Sequence, residues 1–285
     1  MTERMITANG VRLCTEPFGD PADPPVLLMH GNGGSMVWWE DDFCRMLAGA
    51  GRFVIRYDQR DTGLSVTYEH GRPGYTGSDL IDDAAGVIEA YGLPAAHVIG
   101  LSAGGGAAQL LALDHPGRVL SLTLISTSPA TSEGRAPLPP PTDAFMRFVS
   151  TATVDWSDPE SVVEYLVDFY RVLAGDRRPF DDAGFRDLAR RDVARADDPG
   201  AAQNHDVIPD DDRARRPLSS IAVPTLVVHG TADPMFPPAH GEALAAAIPG
   251  ARLLLLLDAA GHGLYRSDWE AVVDVISELT YISST

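Results

Sequence analysis

The pentapeptide Gly100-Leu101-Ser102-Ala103-Gly104 fits the pattern G-x-S-x-G. Apolar residues precede it from position 97 and an Ala/Gly/Leu-rich stretch follows, so it falls between an expected strand and an expected helix. A serine at such an elbow sits in a strained turn, and small neighbours let the chain close and push the hydroxyl into the open. The helix start lies beside it, where the backbone N–H of Ala103 can stabilise a developing oxyanion. Five-residue matches also occur in ordinary glycine-rich turns; the strand before and the helix after separate this one from those.

A hydroxyl is a poor nucleophile until a base takes its proton, and the base needs an orienting acid. Of eight histidines, His262 is the expected base: it lies in Ala260-Gly261-His262-Gly263 after a Leu-rich strand, with glycine on both sides giving the loop freedom to reach Ser102. Asp233, in His229-Gly230-Thr231-Ala232-Asp233-Pro234, is the expected acid. Asp258 is its rival, closer to His262 in sequence, but directly at a strand end where a turn residue is expected. His30 is expected to hold its loop by hydrogen bonds, and His229 to sit at a buried strand end. His70, His97, His115, His205 and His240 read as surface, core or helix-end residues. The second oxyanion donor is expected from His30-Gly31-Asn32-Gly33-Gly34, through the Asn32 amide. A phosphate cradle is the other reading of that loop, yet it lacks both the G-x-G-x-x-G spacing and an internal Arg or Lys. Asp58 and Arg60 are expected to form a structural ion pair that fixes nearby loops.

These residues need a frame. Asn9-Gly10 between two short alternating segments predicts an opening β-hairpin. Val26-Leu27-Leu28-Met29 is an uninterrupted apolar run, as in a strand buried on both faces. Strands at 53–57, 98–101 and 119–125 then alternate with helices near 78–91 and 104–114, which predicts a mostly parallel, doubly wound sheet. The rhythm breaks near Ser128 and resumes at Thr225, with a strand from Arg252 and a last helix near 268–279. In between, Ser157-Asp158-Pro159-Glu160 signals a helix start, with Val162, Leu166, Phe169 and Leu173 at helical spacing behind it. A charge-laced helix follows over about 181–197, and 198–218 is polar and irregular. The expected organisation is an α/β core over 1–128 and 219–285, interrupted by a helical cap over 129–218.

Composition bounds the chemistry further. The 285 residues carry 22 basic against 40 acidic side chains, a net charge of −18. So acidic a chain is a poor partner for nucleic acid or an anionic membrane. It contains no lysine, which excludes Schiff-base chemistry and a P-loop lysine. Cys14 and Cys44 form neither a disulfide framework nor a metal site, and no metal or organic cofactor is expected. No apolar run is long enough to span a bilayer, and the first residues lack a signal-peptide stretch, so a cytoplasmic location is expected.

The HG-x-G-G loop, the D-x-R-D-x-G-x-S segment from Asp58, the G-x-S-x-G elbow, HG-x-x-D-P and the final Gly261-His262 come in the order of the α/β-hydrolase superfamily, which this chain resembles over its length. The nucleophile–acid–base order Ser102, Asp233, His262 is that expected of the superfamily. Within it, residues 18–24, 56–63 and 112–116 resemble the bacterial anthracycline (aclacinomycin) methylesterases. The resemblance implies the triad Ser102, Asp233 and His262, and oxyanion amides of Asn32 and Ala103. This chain departs from that family in having Ala103 where methionine follows the nucleophile, in having His30, and in its insertion.

The expected activity is therefore carboxylic-ester hydrolysis through an acyl-enzyme, on a bulky or apolar small-molecule ester. Trp38, Phe145 and Phe169 are expected to line the pocket, with Trp39, Phe148, Tyr165 and Tyr170 as further candidates. A cofactor-free haloperoxidase or perhydrolase, a lactonase and a carbon–carbon bond hydrolase would use the same triad; a small-molecule binding protein on the same scaffold is the non-enzymatic alternative. Epoxide hydrolases and haloalkane dehalogenases resemble the fold with aspartate at the elbow, where this chain has Ser102.

Overall fold

The computed structural model describes residues 2–131, 137–209, 213–256 and 259–282. The chain opens with β1 (Arg4–Ala8) and β2 (Val11–Phe18), joined at Asn9 and Gly10, whose φ values of 46° and 77° are those a two-residue hairpin turn demands. Then follow β3 (Pro25–Met29), α1 (Asp41–Gly49), β4 (Phe53–Tyr57), α2 (Gly77–Ala90), β5 (Ala96–Leu101), α3 (Ala103–Asp114) and β6 (Val119–Ile125). After the intervening segment come β7 (Thr225–Gly230), α7 (Ala239–Ala247), β8 (Arg252–Leu256) and the last helix, Trp269–Ile282. The eight strands form one sheet in the order β1-β2-β4-β3-β5-β6-β7-β8. β2 is antiparallel to β1 and to β4, and every pairing beyond is parallel.

The uninterrupted apolar strands follow from a sheet covered on both faces. In β3, Leu27 and Met29 face a core built with Ile81, Val87, Leu111 and Leu244, while Val26 and Leu28 face a second core with Phe43, Leu47, Val272 and Ile276. These four β3 side chains are fully buried. Each contributes roughly 1.5–3 kcal/mol of transfer free energy, which offsets the ordering of a central strand. Arg56 is the polar exception in β4. It is fully buried and meets Glu16 at 2.6 Å and Asp41 at 2.7 Å, with its guanidinium over the Phe18 ring.

Among the described residues between β6 and β7 are the α-helices α4 (Asp143–Thr151), α5 (Pro159–Ala174) and α6 (Asp182–Arg195). Asp158 caps α5 by accepting from the Glu160 N–H, with Pro159 in the first turn as its sequence requires. α5 and α6 bury Val162, Val163, Val167, Ala189 and Val193 in a small core of their own. The stretch expected to be irregular contains an ordered 3₁₀ segment, Pro199–Asp206, started by Asp198 accepting from the Gly200 N–H. Among the described residues, no helix is long and apolar enough to cross a membrane.

Candidate active site

Ser102 has φ 55° and ψ −123°, a left-handed backbone that a side-chain-bearing residue adopts only at a cost, of order 1–3 kcal/mol. Steric demand explains the glycines around it. A Cβ on Gly100 would stand 2.4 Å from the Gly104 carbonyl oxygen, and one on Gly104 would stand 2.3 Å from the carbonyl oxygens of both Met29 and His30. The elbow is thus wedged between β5, α3 and the end of β3, and Ser102 is left between the strand and the first turn of the helix.

Across the sheet edge, His262 Nδ1 lies 2.9 Å from Asp233 Oδ2. A carboxylate accepts, so Nδ1 carries a proton, and in the neutral ring Nε2 then holds the lone pair. The other oxygen, Asp233 Oδ1, accepts from the backbone N–H groups of Met235 (2.9 Å) and Phe236 (2.7 Å). Asp233 and His262 are 3% and 4% exposed, a dry setting in which their interaction is poorly screened. Ser102 and His262 line one cavity, although among the described residues no hydrogen bond joins them. Such bonds often tighten only when substrate is bound. The rival Asp258 lies outside the described residues.

The loop that follows β3 passes beside Ser102: a Cβ on Gly31 would stand 3.1 Å from Ser102 Cβ. Asn32 is exposed on this loop and lines the cavity, and Ala103 begins α3 with its N–H at the helix N-terminus. The cavity measures about 370 Å³. Trp38, Phe145 and Phe169 line it, together with Trp156, Tyr165 and Tyr170, whereas Trp39 packs in the core against Phe43. Trp38 stacks on Tyr170 with centroids 4.1 Å apart, and Phe169 stacks on Tyr165 at 6.2 Å. Among the described residues, no group of three His, Cys, Asp or Glu side chains is placed to hold a metal ion.

Two expectations need correction. Asp58 and Arg60 do not pair with each other. Arg60 meets Asp83 through two bonds of 2.7 and 2.8 Å, and Asp58 receives Arg195 of α6 at 2.7 Å. Both residues lie beyond the end of β4, where no strand pairing sets them side by side, and each takes its partner from another element. His30 does hold its loop by hydrogen bonds, although ring Nδ1 is buried without a partner; burial pulls its pKa down to about 4, opposed by a hydrogen bond with the Gly31 backbone. Its carbonyl accepts from Gln59 Nε2 at 3.0 Å. The glycine before His262 does not serve loop freedom. A Cβ on Gly261 would stand 2.3 Å from the Leu173 carbonyl oxygen, and the His262 N–H donates to that same oxygen at 2.8 Å. The C-terminal end of α5 therefore clamps the histidine loop.

Two further histidines make contacts that sequence reasoning did not assign, although His229 does sit at the buried strand end expected of it. His229 Nε2 donates to the Phe236 carbonyl at 2.7 Å and stands 3.6 Å from Asp233 Oδ2, bracing the acid's turn in a neutral form that burial favours. His205, expected to be a surface, core or helix-end residue, is buried against the loop that follows β3, its Nδ1 3.1 Å from the Gly33 amide nitrogen. The sequence carries no pattern that would have singled it out.

The chain is similar to known proteins over most of its length. The model of the α/β hydrolase fold family matches residues 24–266. The rhodomycin D methylesterase DauP of Streptomyces sp. (strain C5) is 37% identical over 281 residues, covering 93% of each chain. The rhodomycin D methylesterase DnrP of Streptomyces peucetius is 36% identical over the same share of both. Among solved structures, the esterase RhEst1 from Rhodococcus sp. ECU1013 superposes with a TM-score of 0.77 at 21% identity, covering 99% of both chains. The enol-lactonase from Burkholderia xenovorans LB400 gives 0.72 at 26%, covering 98% of this chain and all of that one.

Proposed function

Since the chain belongs to the α/β hydrolase fold family, we propose that Ser102, His262 and Asp233 carry out its chemistry as nucleophile, base and orienting acid. Its likeness to two methylesterases along nearly its whole length makes it a carboxylic-ester hydrolase. The observation that carries the assignment of residues is the Asp233–His262 bond, which turns the free Nε2 of His262 to the cavity that Ser102 also lines.

His262 Nε2 takes the Ser102 proton as the hydroxyl attacks the ester carbonyl, and Asp233 stabilises the imidazolium that forms. The amides of Asn32 and Ala103 receive the negative oxygen of the tetrahedral intermediate. His262 then protonates the departing alkoxide, and water releases the acyl group by the same steps in reverse. We propose a methyl ester as substrate, with its acid portion bulky and aromatic. The small alkoxide needs little room, while the aromatic rings of the cavity offer faces for the acid portion. In this reading residues 129–218 act as a cap that closes over the cavity.

The test is reaction with a fluorophosphonate probe, with the labelled residue located by peptide mass, alongside hydrolysis of methyl esters of a polycyclic aromatic acid and of acetic acid. Labelling at Ser102 and preference for the aromatic ester are expected. Folded wild-type protein that is neither labelled there nor turns over either ester defeats the assignment of the triad; faster turnover of methyl acetate defeats the substrate class.

A further inference from the structure

The 3₁₀ segment Pro199–Asp206 meets the sheet-edge loops through three consecutive residues. Asn204 Nδ2 donates to Asp61 Oδ2 at 3.0 Å, and its Oδ1 accepts from the Gly71 N–H at 2.7 Å. His205 Nε2 lies 2.8 Å from the Arg60 carbonyl oxygen and its Nδ1 lies 3.1 Å from the Gly33 nitrogen. Asp206 Oδ1 accepts from Asn32 Nδ2 at 2.6 Å.

The partners of His205 determine its tautomer. A carbonyl oxygen can only accept, so Nε2 carries the hydrogen; a backbone N–H can only donate, so Nδ1 supplies the lone pair. Both ring nitrogens are therefore used, and only the neutral ring makes both bonds. Asn32 stands between the two contacts. Its side chain is tied to Asp206, and the peptide N–H that follows it is tied to His205. With both tied, rotation about the Asn32 backbone is blocked, and the direction of its own N–H is set.

We propose that His205 and Asp206 are positioning residues that aim the Asn32 amide at the oxyanion, so that the insertion completes the oxyanion hole. The core then has this donor in place only while residues 199–206 are docked on it. The proposal rests on the reading of Asn32 as an oxyanion donor.

The test uses the full-length chain, p-nitrophenyl butyrate as substrate and benzeneboronic acid, which forms a tetrahedral adduct at a nucleophilic serine. Loss of a whole oxyanion donor costs about 10²–10³ in kcat, so misaiming one by His205→Ala or Asp206→Ala should lower kcat about tenfold or more. KM should stay within about twofold, because the ground-state carbonyl gains little from this donor. Boronate affinity should fall in step with kcat, and His205→Asn, which can restore an acceptor for the Gly33 N–H, should recover much of both. Asp206 is exposed, so Asp206→Ala carries the test alone if the His205 variants fail to fold. Variants that raise KM with kcat and boronate affinity unchanged would show that the segment only packs the cavity, and the proposal falls. A wild-type protein inert toward the ester and unlabelled by fluorophosphonate instead defeats the triad assignment, a separate failure.

Discussion

Arg195 of α6 places Nη2 2.7 Å from Asp58 Oδ2, at the end of β4, and the Asp58 side chain is fully buried. The Asp58 carboxylate also accepts from the backbone N–H groups of Met36 at 2.8 Å and Leu64 at 3.0 Å, and Arg195 also reaches Glu3 at 2.7 Å. One guanidinium from α6 thus neutralises a carboxylate buried beside the end of β4. Removing one partner of such a pair leaves an uncompensated charge, which costs about 3–5 kcal/mol. Arg195→Ala should therefore lower unfolding stability by that order, and Asp58→Asn in the same chain should restore part of it. Denaturant titration of the single and double variants measures both. A loss below about 0.5 kcal/mol, the range of an ordinary surface change, would mean the pair does not hold α6.

The elbow makes a paired prediction. A Cβ on Gly104 meets two carbonyl oxygens at 2.3 Å, whereas one on Gly106, two residues further along α3, meets nothing within 4 Å. Gly104→Ala should displace the end of β3 and lower the melting temperature and ester turnover together. Gly106→Ala should instead raise stability by about 0.5–1 kcal/mol through helix propensity alone, with turnover nearly unchanged. Thermal melts and initial rates distinguish them. Equal behaviour of the two alanines would show that the elbow tolerates displacement.

The parts of this architecture legible in the sequence are those whose cause is local. Asn9-Gly10 marks its turn because only certain residues accept positive φ, and 26–29 marks a central strand because both faces are covered. Ser102 was legible because its turn needs small neighbours on either side, and that need is written within five residues. What the sequence did not disclose depends on contacts between distant segments. The partner of Asp58 lies on α6, His205 meets Gly33 across more than half the chain, and Gly261 is a glycine because the end of α5 passes over it. No periodicity encodes such a contact, so local patterning assigned Asp58 to Arg60 and left His205 among the surface, core or helix-end residues.

Asp192 gives the fold a pH dependence. It lies on α6, lines the cavity, accepts from Ser35 Oγ, and receives Trp38 Nε1 at 2.7 Å. Burial raises its pKa from 3.8 to about 6, opposed by those two hydrogen bonds, with Asp58 raising it and Arg195 lowering it further. Between these two values the folded state keeps a proton that the unfolded chain has released, so stability falls as pH rises through that window and is level above it. Asp192→Asn stays neutral throughout. It should exceed wild type in stability by about 1–3 kcal/mol at pH 7.5, and the difference should close below about pH 4. Denaturant midpoints of both proteins from pH 4 to 8 test this; a difference independent of pH would place the titration elsewhere.

Phe169 is the ring on which substrate preference should turn. It projects from α5 into the cavity and contacts Phe145, Phe148, Tyr165 and Tyr170, with centroid distances of 5.8–6.4 Å. Truncation removes one face of the proposed acid-portion pocket without touching Ser102, His262 or Asp233. If an aromatic substrate stacks there, about 1–2 kcal/mol of binding is lost, equivalent to roughly a 5–30-fold rise in KM. Phe169→Ala should therefore raise KM for the polycyclic aromatic methyl ester by that factor and leave kcat/KM for methyl acetate within about twofold, since the smaller ester has no ring to stack. An equal loss on both esters would mean that Phe169 supports the fold of the insertion, and that selectivity for the acid portion resides in another wall of the cavity.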